Sequence, residues 1–408
     1  MVEPIVKRSA GLDVHKMLVV ATVLLEQADG SLQEQTREFG TFRSERLALT
    51  AWLRDLNIEL VVMESTGIYW KSLYAALDAA ELKTYVVNAR HIKQVPGRKT
   101  DVKDSQWLAA LARFGLLKPS FVPPVDLREL RLLTRYRIKL VATLASEKNR
   151  LHKILDEAGI RLGGVVSDIN GLSAQAIIAG LIARQPVADL VDCARGRLKA
   201  KREALRQVLD ESLSERHRLL LEELHHHICF LEQQVQGLDE QILAAMAPYQ
   251  QQWQLLQTIP GVDAISAALM IAEIGVEMER FGTGEQFVSW AGLCPGHHES
   301  AGKRKSGRMR KGNRVLRQLL CEIANAARRT NSQFKGKYNA LVIRRGHKRT
   351  IVALGHKLLR VIYAILKQQQ PYCDPDIDYD ALVVHKNAPR WIKALQKYGY
   401  LAHVRDIA

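Results

Sequence analysis

Apolar positions near the amino terminus change from short runs to helical spacing and back. Three strands are predicted at 5–14, 17–25 and 33–42. Alternating elements follow, with helices at 45–56, 68–80 and 102–114 and buried-type strands at 59–63 and 83–88. The order β-β-β-α-β-α-β-α is typical of a mixed sheet with helices on its faces, and it predicts an α/β domain of the RNase H-like (RuvC-like) type.

The pattern becomes helical after Pro119, Pro123 and Pro124. Leucines recur at three and four residues across 127–157 and again across 190–247, with a break at 159–164. Two long amphipathic blocks around a break predict an antiparallel coiled-coil arm, although an ordinary helical bundle has the same pattern. A mostly α-helical domain follows Pro248. The chain is therefore predicted to have four parts: 1–120 (RuvC-like), 121–250 (arm), 251–370 (C-terminal helical domain) and 371–408 (tail).

Composition excludes several classes of protein. An apolar fraction of 47% over 408 residues excludes a globally disordered chain. The apolar run Met17–Leu25 is too short to span a membrane, and the first residues lack the apolar core of a signal peptide. Five scattered cysteines include no CxxC pair, so neither a disulfide scaffold nor a cysteine zinc site is expected. We expect a reduced, cytoplasmic protein.

Positive charge is concentrated in one segment. The chain has 59 Lys and Arg against 43 Asp and Glu, a net charge of +16. Residues 302–360 contain 18 Lys and Arg and a single acid, Glu322. A basic domain beside a nearly neutral remainder indicates a polyanionic partner such as nucleic acid, the alternative being a merely basic, soluble surface.

Four acids of the predicted sheet domain lie where they could form one site. Asp13 lies in the first strand, Glu64 ends the fourth, and Asp101 and Asp104 share one face of a helix start. The first and fourth strands of an RNase H-like sheet are neighbours, so these carboxylates would converge. Oxygen-only ligands favour Mg²⁺ or Mn²⁺, and two such ions can clamp a phosphodiester. Taken singly, Asp101 also fits a helix cap and Glu64 a strand-end ion pair.

A second candidate site lies just before and at the start of the basic segment. Residues 257–263 resemble the turn of a helix-hairpin-helix, in which Gly261 would let backbone N–H groups meet a DNA phosphate, although an ordinary helix–helix turn fits too. A Gly-rich basic loop then enters a helix at about Asn313. Its hydroxyls, Ser300 and Ser306, are candidate nucleophiles, although a phosphate-binding loop with structural serines fits too. Candidate nucleic-acid contacts are Lys303, Arg304, Lys305, Arg308, Arg310, Lys311 and Arg314.

These motifs together resemble the DEDD transposases of the insertion-sequence 110 family, serine recombinases guided by a bridge RNA or seekRNA. Segments 11–16, 64–67 and 99–104 resemble the family's RuvC-like tetrad. Segments 259–262, 292–295, 299–303 and 311–313 resemble its transposase domain. Many members carry Ser-Ser-Gly-Gly where this chain has Glu299-Ser300-Ala301-Gly302, so only Ser300 remains of the serine pair.

The resemblance implies a mechanism and partners. Ser300 would form a covalent 5′-phosphoserine bond to DNA, and Asp13, Glu64, Asp101 and Asp104 would bind Mg²⁺ (or Mn²⁺). A guide RNA encoded beside the gene would pair with donor and target DNA. Dimers and tetramers would combine a RuvC-like domain and a serine domain from different protomers, in a prokaryotic, nucleoid-associated protein. Two alternatives stay open: a RuvC-like metal-dependent nuclease or resolvase using activated water, and a non-catalytic nucleic-acid-binding protein.

Overall fold

The computed structural model describes residues 4–65, 67–92, 104–294, 298–300, 303–306, 309, 312–375, 377 and 379–401. The chain divides into two units, Met1–Val125 and Asp126–Ala408. The first unit contains the mixed sheet. The second is mostly helical and includes one two-stranded hairpin.

The first unit has the strand order of the predicted fold. Its elements are β1 (Arg8–Val14), β2 (Leu18–Glu26), β3 (Leu32–Gly40), α1 (Arg43–Asp55), β4 (Leu60–Glu64), α2 (Trp70–Ala79), β5 (Thr84–Val87), α3 (Ala89–Ile92) and α4 (Asp104–Arg113). The sheet order is β3-β2-β1-β4-β5, with β2 antiparallel to both of its neighbours and β1, β4 and β5 parallel. The mixed sheet expected from the sequence is confirmed.

The two faces of the sheet are covered by different helices. Ala10, Leu12 and Met63 pack in one core with the inner sides of α1 and α2. Leu60 and Val62, the alternate residues of β4, pack in a second core with α4. Because side chains alternate along a strand, Ser9, Gly11 and Asp13 of β1 face α4.

The second unit begins with a long helix and continues through shorter ones. Its elements are α5 (Val125–Glu157, beginning at the boundary), α6 (Leu172–Ile182), α7 (Val187–Asp192), α8 (Arg202–Leu209), α9 (Glu215–Ala244), α10 (Gln250–Gln257), α11 (Ala264–Ile274), α12 (Gly284–Ala291), β6 (His298–Ser300), β7 (Lys303–Ser306), α13 (Arg314–Ala327), α14 (Gln333–Arg345), α15 (His347–Gln368) and α16 (Tyr379–Lys397).

Helices α5 and α9 form an antiparallel pair. Arg137 is ion-paired with Asp239, and Lys148 Nζ lies 2.6 Å from a Glu232 carboxylate oxygen. The two contacts advance along α5 while they retreat along α9, as antiparallel helices require. Coiled-coil packing between the two helices stays a prediction.

The second helical block, 190–247, is not one continuous helix. The chain there forms α7, a 3₁₀ turn at Gly196–Lys201, α8 and only then α9. Gly196, the first residue of this turn, has φ +56°, a conformation outside the right-handed helix. Leu205 and Leu209 nevertheless lie in one buried core with residues of α5, α6 and α9, so a small helical bundle stands where a continuous helix was expected.

The remaining helices form a bundle whose centre is α15. Buried leucines and isoleucines of α13 and α15 supply its core, and Phe281, Phe287, Trp290 and Tyr363 form an aromatic cluster beside it. Helix α16 lies within the predicted tail and contacts α14. Within the described residues, no helix is long and apolar enough to cross a membrane.

Candidate active site

Asp13 and Glu64 lie at the same end and on the same face of the sheet. The parallel register of β1 and β4 pairs Leu12 with Met63, and Asp13 and Glu64 are the next residue on each strand. Side chains at corresponding positions of neighbouring strands point to the same face, which here is the face that α4 covers. The register thus places these two acids at neighbouring strand ends, and their convergence on one site stays a prediction.

A close contact fixes α4 on that face. A Cβ atom on Gly11 would lie 2.0 Å from the Ser105 carbonyl oxygen and 2.4 Å from the Ala109 nitrogen. Ser9 Oγ donates to the Ala109 carbonyl at 2.9 Å, and the hydroxyls of Ser105 and Thr22 are 2.9 Å apart. Glycine and small hydroxyl side chains thus let the helix backbone lie directly on the sheet.

The direction of α4 brings Asp104 toward the two strand-end acids. The Arg113 carbonyl accepts hydrogen bonds from the Ile5 and Val6 N–H groups, near the start of β1. Ser105, at the other end of the helix, lies against Gly11. Asp104 opens the helix and is exposed, so three of the four predicted acids belong to one end of the sheet.

Asp13 has a neighbour that the sequence did not single out. His15 Nε2 lies 3.1 Å from Asp13 Oδ2, and the Asp13 side chain is 30% exposed. A partly exposed carboxylate beside an imidazole has room for a further ligand. Its signal in the sequence is the i, i+2 spacing at a strand end.

The donor set fits a hard cation in its chemistry, because it consists of carboxylate oxygens. The fourth predicted ligand, Asp101, lies outside the described residues. Among the residues that are described, no group of three or more His, Cys, Asp and Glu side chains is close enough to hold a metal ion. The four-acid metal site stays a prediction.

Ser300 lies on a β-hairpin, where the sequence predicted only a loop. Strands β6 and β7 are antiparallel, with Ser300 paired to Lys303 and Glu299 paired to Arg304. Ser300 is the last residue of its strand, and the register shifts between His298 and Glu299. The sequence did not predict these strands, because the segment has little of the apolar alternation that indicates a strand. Lys305 and Ser306 are also in β7. Arg308, Arg310 and Lys311 lie outside the described residues.

The two ends of the segment that carries this hairpin are in contact. A Cβ on Gly312 would lie 2.4 Å from the Ala291 carbonyl oxygen and 2.6 Å from the Gly292 Cα, so only glycine fits there. Asn313 then caps α13, its Oδ1 accepting from the Leu316 N–H at 3.1 Å, and Arg314 is exposed in the first turn. The segment 292–312, which carries the hairpin, therefore begins and ends at one place.

Gly261 has a packing role. It lies between α10 and α11 with φ +87°, and a Cβ there would lie 2.6 Å from the Ala327 nitrogen of α13. Asp263 caps α11, its Oδ1 accepting from the Ser266 N–H at 2.7 Å. The close approach to α13 accounts for the glycine. Its contact with a DNA phosphate stays a prediction.

A group of cations lies on α14 and α15. Burial lowers the pKa of Lys337, and the neighbouring charges of Lys357 and Arg360 lower it further. Arg360 is ion-paired with Glu285 at 3.2 Å. Burial, Arg360 and Lys337 also lower the pKa of His356, while Glu285 opposes this shift. The basic segment therefore gathers mutually repelling charges on one helix pair, a suitable surface for an anion.

Comparison with known protein families identifies two matches along the chain. Residues 10–160 match the DEDD transposase family of IS110 type, described as "Transposase". Residues 253–339 match the family described as "Transposase IS116/IS110/IS902 family". The first match contains all four predicted acids, and the second contains Gly261 and the Ser300 hairpin.

Similar full-length proteins are transposases. The transposase for insertion sequence element IS1111A of Coxiella burnetii is 25% identical over 81% of this chain and 84% of that protein. The transposase for IS1328 of Yersinia enterocolitica is 24% identical over 80% of this chain and 89% of that protein. Among solved structures, Thermus thermophilus RuvC matches 28% of this chain and 99% of its own, with 15% identity and a TM-score of 0.22.

Proposed function

Because the chain belongs to the IS110 family of transposases, we propose that it cuts and rejoins donor and target DNA through a covalent phosphoserine intermediate, guided by an RNA encoded with the element. The observation that carries this proposal is the placement of Asp13 and Glu64 one residue beyond the Leu12–Met63 pair, on the face that α4 covers. Neighbouring carboxylates repel each other, and a cation that they bind offsets this repulsion. The same cation can contact a DNA phosphate.

The proposed ligands of Mg²⁺ or Mn²⁺ are Asp13, Glu64, Asp101 and Asp104. When bound, the cation would neutralise the DNA phosphate and stabilise the leaving oxygen. The protein's contribution is to hold these ligands. Strands β1 and β4 fix two of them, and α4, held by the Gly11 contact, presents Asp104.

Ser300 is the proposed nucleophile. The Ser300 Oγ gives up its proton and bonds to phosphorus, while the P–O3′ bond breaks and the departing 3′ oxygen takes up a proton. The products are a 5′-phosphoserine ester and a free 3′-OH. A 3′-OH from another strand then attacks the ester, restores a phosphodiester and releases Ser300. No external energy source is required, because each step exchanges one phosphate ester for another.

The nucleic-acid part assigns the basic segment to phosphate contacts. Lys303, Arg304 and Lys305 share the hairpin with Ser300, and the remaining assigned contacts are Arg308, Arg310, Lys311, Arg314 and the backbone at Gly261. Contacts of this kind position a duplex without reading its sequence. Base pairing by a guide RNA would supply the sequence specificity. Dimers or tetramers would then bring donor and target together.

A matched pair of serine variants tests the proposal. Ser300→Ala removes the proposed nucleophile, and Ser306→Ala removes the other hydroxyl of the same hairpin. We expect Ser300→Ala to abolish strand cleavage while RNA and DNA binding persist, and Ser306→Ala to leave cleavage intact. Recombination by Ser300→Ala would refute the nucleophile. Cleavage by Ser300→Ala that still depends on a divalent cation would favour the rival activity, a RuvC-like nuclease or resolvase that activates water.

A further inference from the structure

Glu273 is a fully buried carboxylate at the end of an apolar helix. It is the second-last residue of α11, and its relative exposure is 0%. Arg135 of α5 makes two hydrogen bonds to it, Nε to Oε1 at 2.8 Å and Nη2 to Oε2 at 2.9 Å. A buried carboxylate is tolerated when such partners satisfy it. Glu273 therefore connects α5 and α11.

The charges around Glu273 keep it ionised. Burial alone raises the pKa of Glu273, but Arg135, Arg131 and the Asn313 amide outweigh this effect and bring the pKa below its ordinary value. The hydrogen bond to Glu273 raises the pKa of Arg135 in turn. Arg131 also donates from Nε to the Ala272 carbonyl at 2.7 Å, at the carboxyl end of α11. Burial lowers the pKa of Arg131 to about 10.

A third partner links this ion cluster to the segment that carries Ser300. Asn313 Nδ2 donates to Glu273 Oε2 at 2.6 Å, while Oδ1 of the same amide caps α13. Asn313 directly follows Gly312, whose Cα lies against Ala291 and Gly292 at the other end of the segment. The carboxyl end of the segment that carries the β6–β7 hairpin is thus tied to α5 and α11 through one side-chain amide.

We infer that Glu273 and Asn313 are positioning residues, which hold the carboxyl end of the segment 292–312 so that Ser300, carried by this segment, is directed at the DNA phosphate. This inference rests on the proposed function, because it takes Ser300 as the nucleophile. Apolar side chains could fill the volume of a buried ion cluster without loss of stability. An amide that must satisfy a cap and a carboxylate together admits one geometry. Attack on phosphorus depends on such precision, since a displacement of about 1 Å costs on the order of 100-fold in rate.

A reversal of the hydrogen bond tests this link. Asn313→Asp keeps the cap, because Asp and Asn cap helices equally well, but it turns a carboxylate toward Glu273. Adding Glu273→Gln places a donor opposite that carboxylate and restores one hydrogen bond, at the loss of the Arg135 Nη2 bond that the same Glu273 oxygen accepts. We expect Asn313→Asp to slow single-turnover formation of the DNA adduct by roughly tenfold or more. We expect the double variant to recover part of the lost rate, with nucleic-acid binding unchanged. Both variants disturb a buried ion cluster and should lower the melting temperature, so adduct rates are compared per folded protein.

Asn313→Ser is a second variant that keeps the cap and lacks the reach to Glu273. It should slow adduct formation as Asn313→Asp does, without introducing a charge. Equal adduct rates for all these variants, or loss of activity only in proportion to loss of folded protein, would overturn the inference. So would a double variant that stays as slow as Asn313→Asp.

Hydrogen exchange separates this inference from the proposed function. The amides of 298–306, measured without DNA, should exchange faster in Asn313→Asp and return to the parent rate in the double variant. If Asn313→Asp exchanges faster but the parent protein forms no Ser300 adduct, the link between Asn313 and the hairpin exists and the nucleophile is wrong. Unchanged exchange in a protein that forms the adduct would mean that the nucleophile is right and the positioning role is wrong.

Discussion

Gly11 and Ser105 are in a contact that no side chain at position 11 could share. A Cβ on Gly11 would lie 2.0 Å from the Ser105 carbonyl oxygen, which belongs to the backbone and cannot rotate away. Asp104 immediately precedes Ser105, and Asp13 lies two residues beyond Gly11 on the same face of β1. The spacing between a proposed metal ligand of the strand and one of the helix therefore depends on a missing side chain.

Gly11→Ala should displace α4 from the sheet. Overpacking of this kind costs roughly 1–3 kcal/mol, and a backbone obstacle favours the upper end. We expect a lower melting temperature and loss of strand cleavage even in the fraction that stays folded. Gly164→Ala is the matched control, because a Cβ at Gly164 meets nothing within 4 Å. Normal cleavage by folded Gly11→Ala protein would contradict this account of the site.

The sequence was sufficient to predict most of this sheet. Apolar runs and helical spacing predicted each strand to within a few residues, and the shared ends of β1 and β4 followed from the strand order. It was insufficient around 190–214, because leucine spacing is the same in one long helix and in short helices around a common core. The chain leaves the helical conformation at Gly196. A glycine in the sequence does not by itself indicate this, because glycine is also tolerated inside a helix.

Removing one strand-end acid should reduce divalent-cation binding while the fold is retained. Asp13→Asn and Glu64→Gln each remove one charge from the proposed ligand set. We expect Mg²⁺ to raise the melting temperature of the parent protein and to raise it less in either variant, since a ligand stabilises the state that binds it. Asp55→Asn, at an exposed acid that ends α1 on the other side of the sheet, should respond as the parent does. Equal Mg²⁺ responses in all four proteins would exclude these acids as ligands.

Glu273 should make stability depend on acid pH. Its folded-state pKa lies below its ordinary value, so its contribution is complete above the unfolded pKa of about 4.3 and is lost as pH falls through the folded pKa. We expect Glu273→Gln to lower the free energy of unfolding by about 1–3 kcal/mol at pH 7. The difference from the parent should shrink below about pH 4. Denaturant titrations at several pH values measure it, and a difference independent of pH would contradict an ionised Glu273.

The partners of Glu273 were beyond prediction from the sequence. A single acid in the apolar run of α11 indicates a buried carboxylate that must be paired. Its partners are 138 and 40 residues away along the chain, on α5 and before α13. Nothing in local spacing identifies contacts over such separations. The hairpin of Ser300 was missed for a related reason, because Gly-rich basic segments carry no strand periodicity.

The cations of α14 and α15 should trade stability for nucleic-acid binding. Lys357→Gln removes a charge that repels Lys337, so we expect a melting temperature equal to or above that of the parent. If Lys357 contacts a phosphate, the same variant should bind duplex DNA or guide RNA more weakly, with a salt dependence reduced by about one phosphate contact. Lys71→Gln, at an exposed lysine of α2, is the control. A lower melting temperature with unchanged binding would show that Lys357 has a structural role only.

Covalent capture tests the central claim most directly. The protein, its co-expressed RNA, Mg²⁺ and nicked donor and target DNA, which prevent resealing, would be quenched in SDS, digested and analysed by mass spectrometry. With Ser300 as the nucleophile, we expect a DNA-linked peptide modified at Ser300. Cleaved DNA with a free 5′-phosphate and no adduct would contradict it and would indicate hydrolysis by activated water.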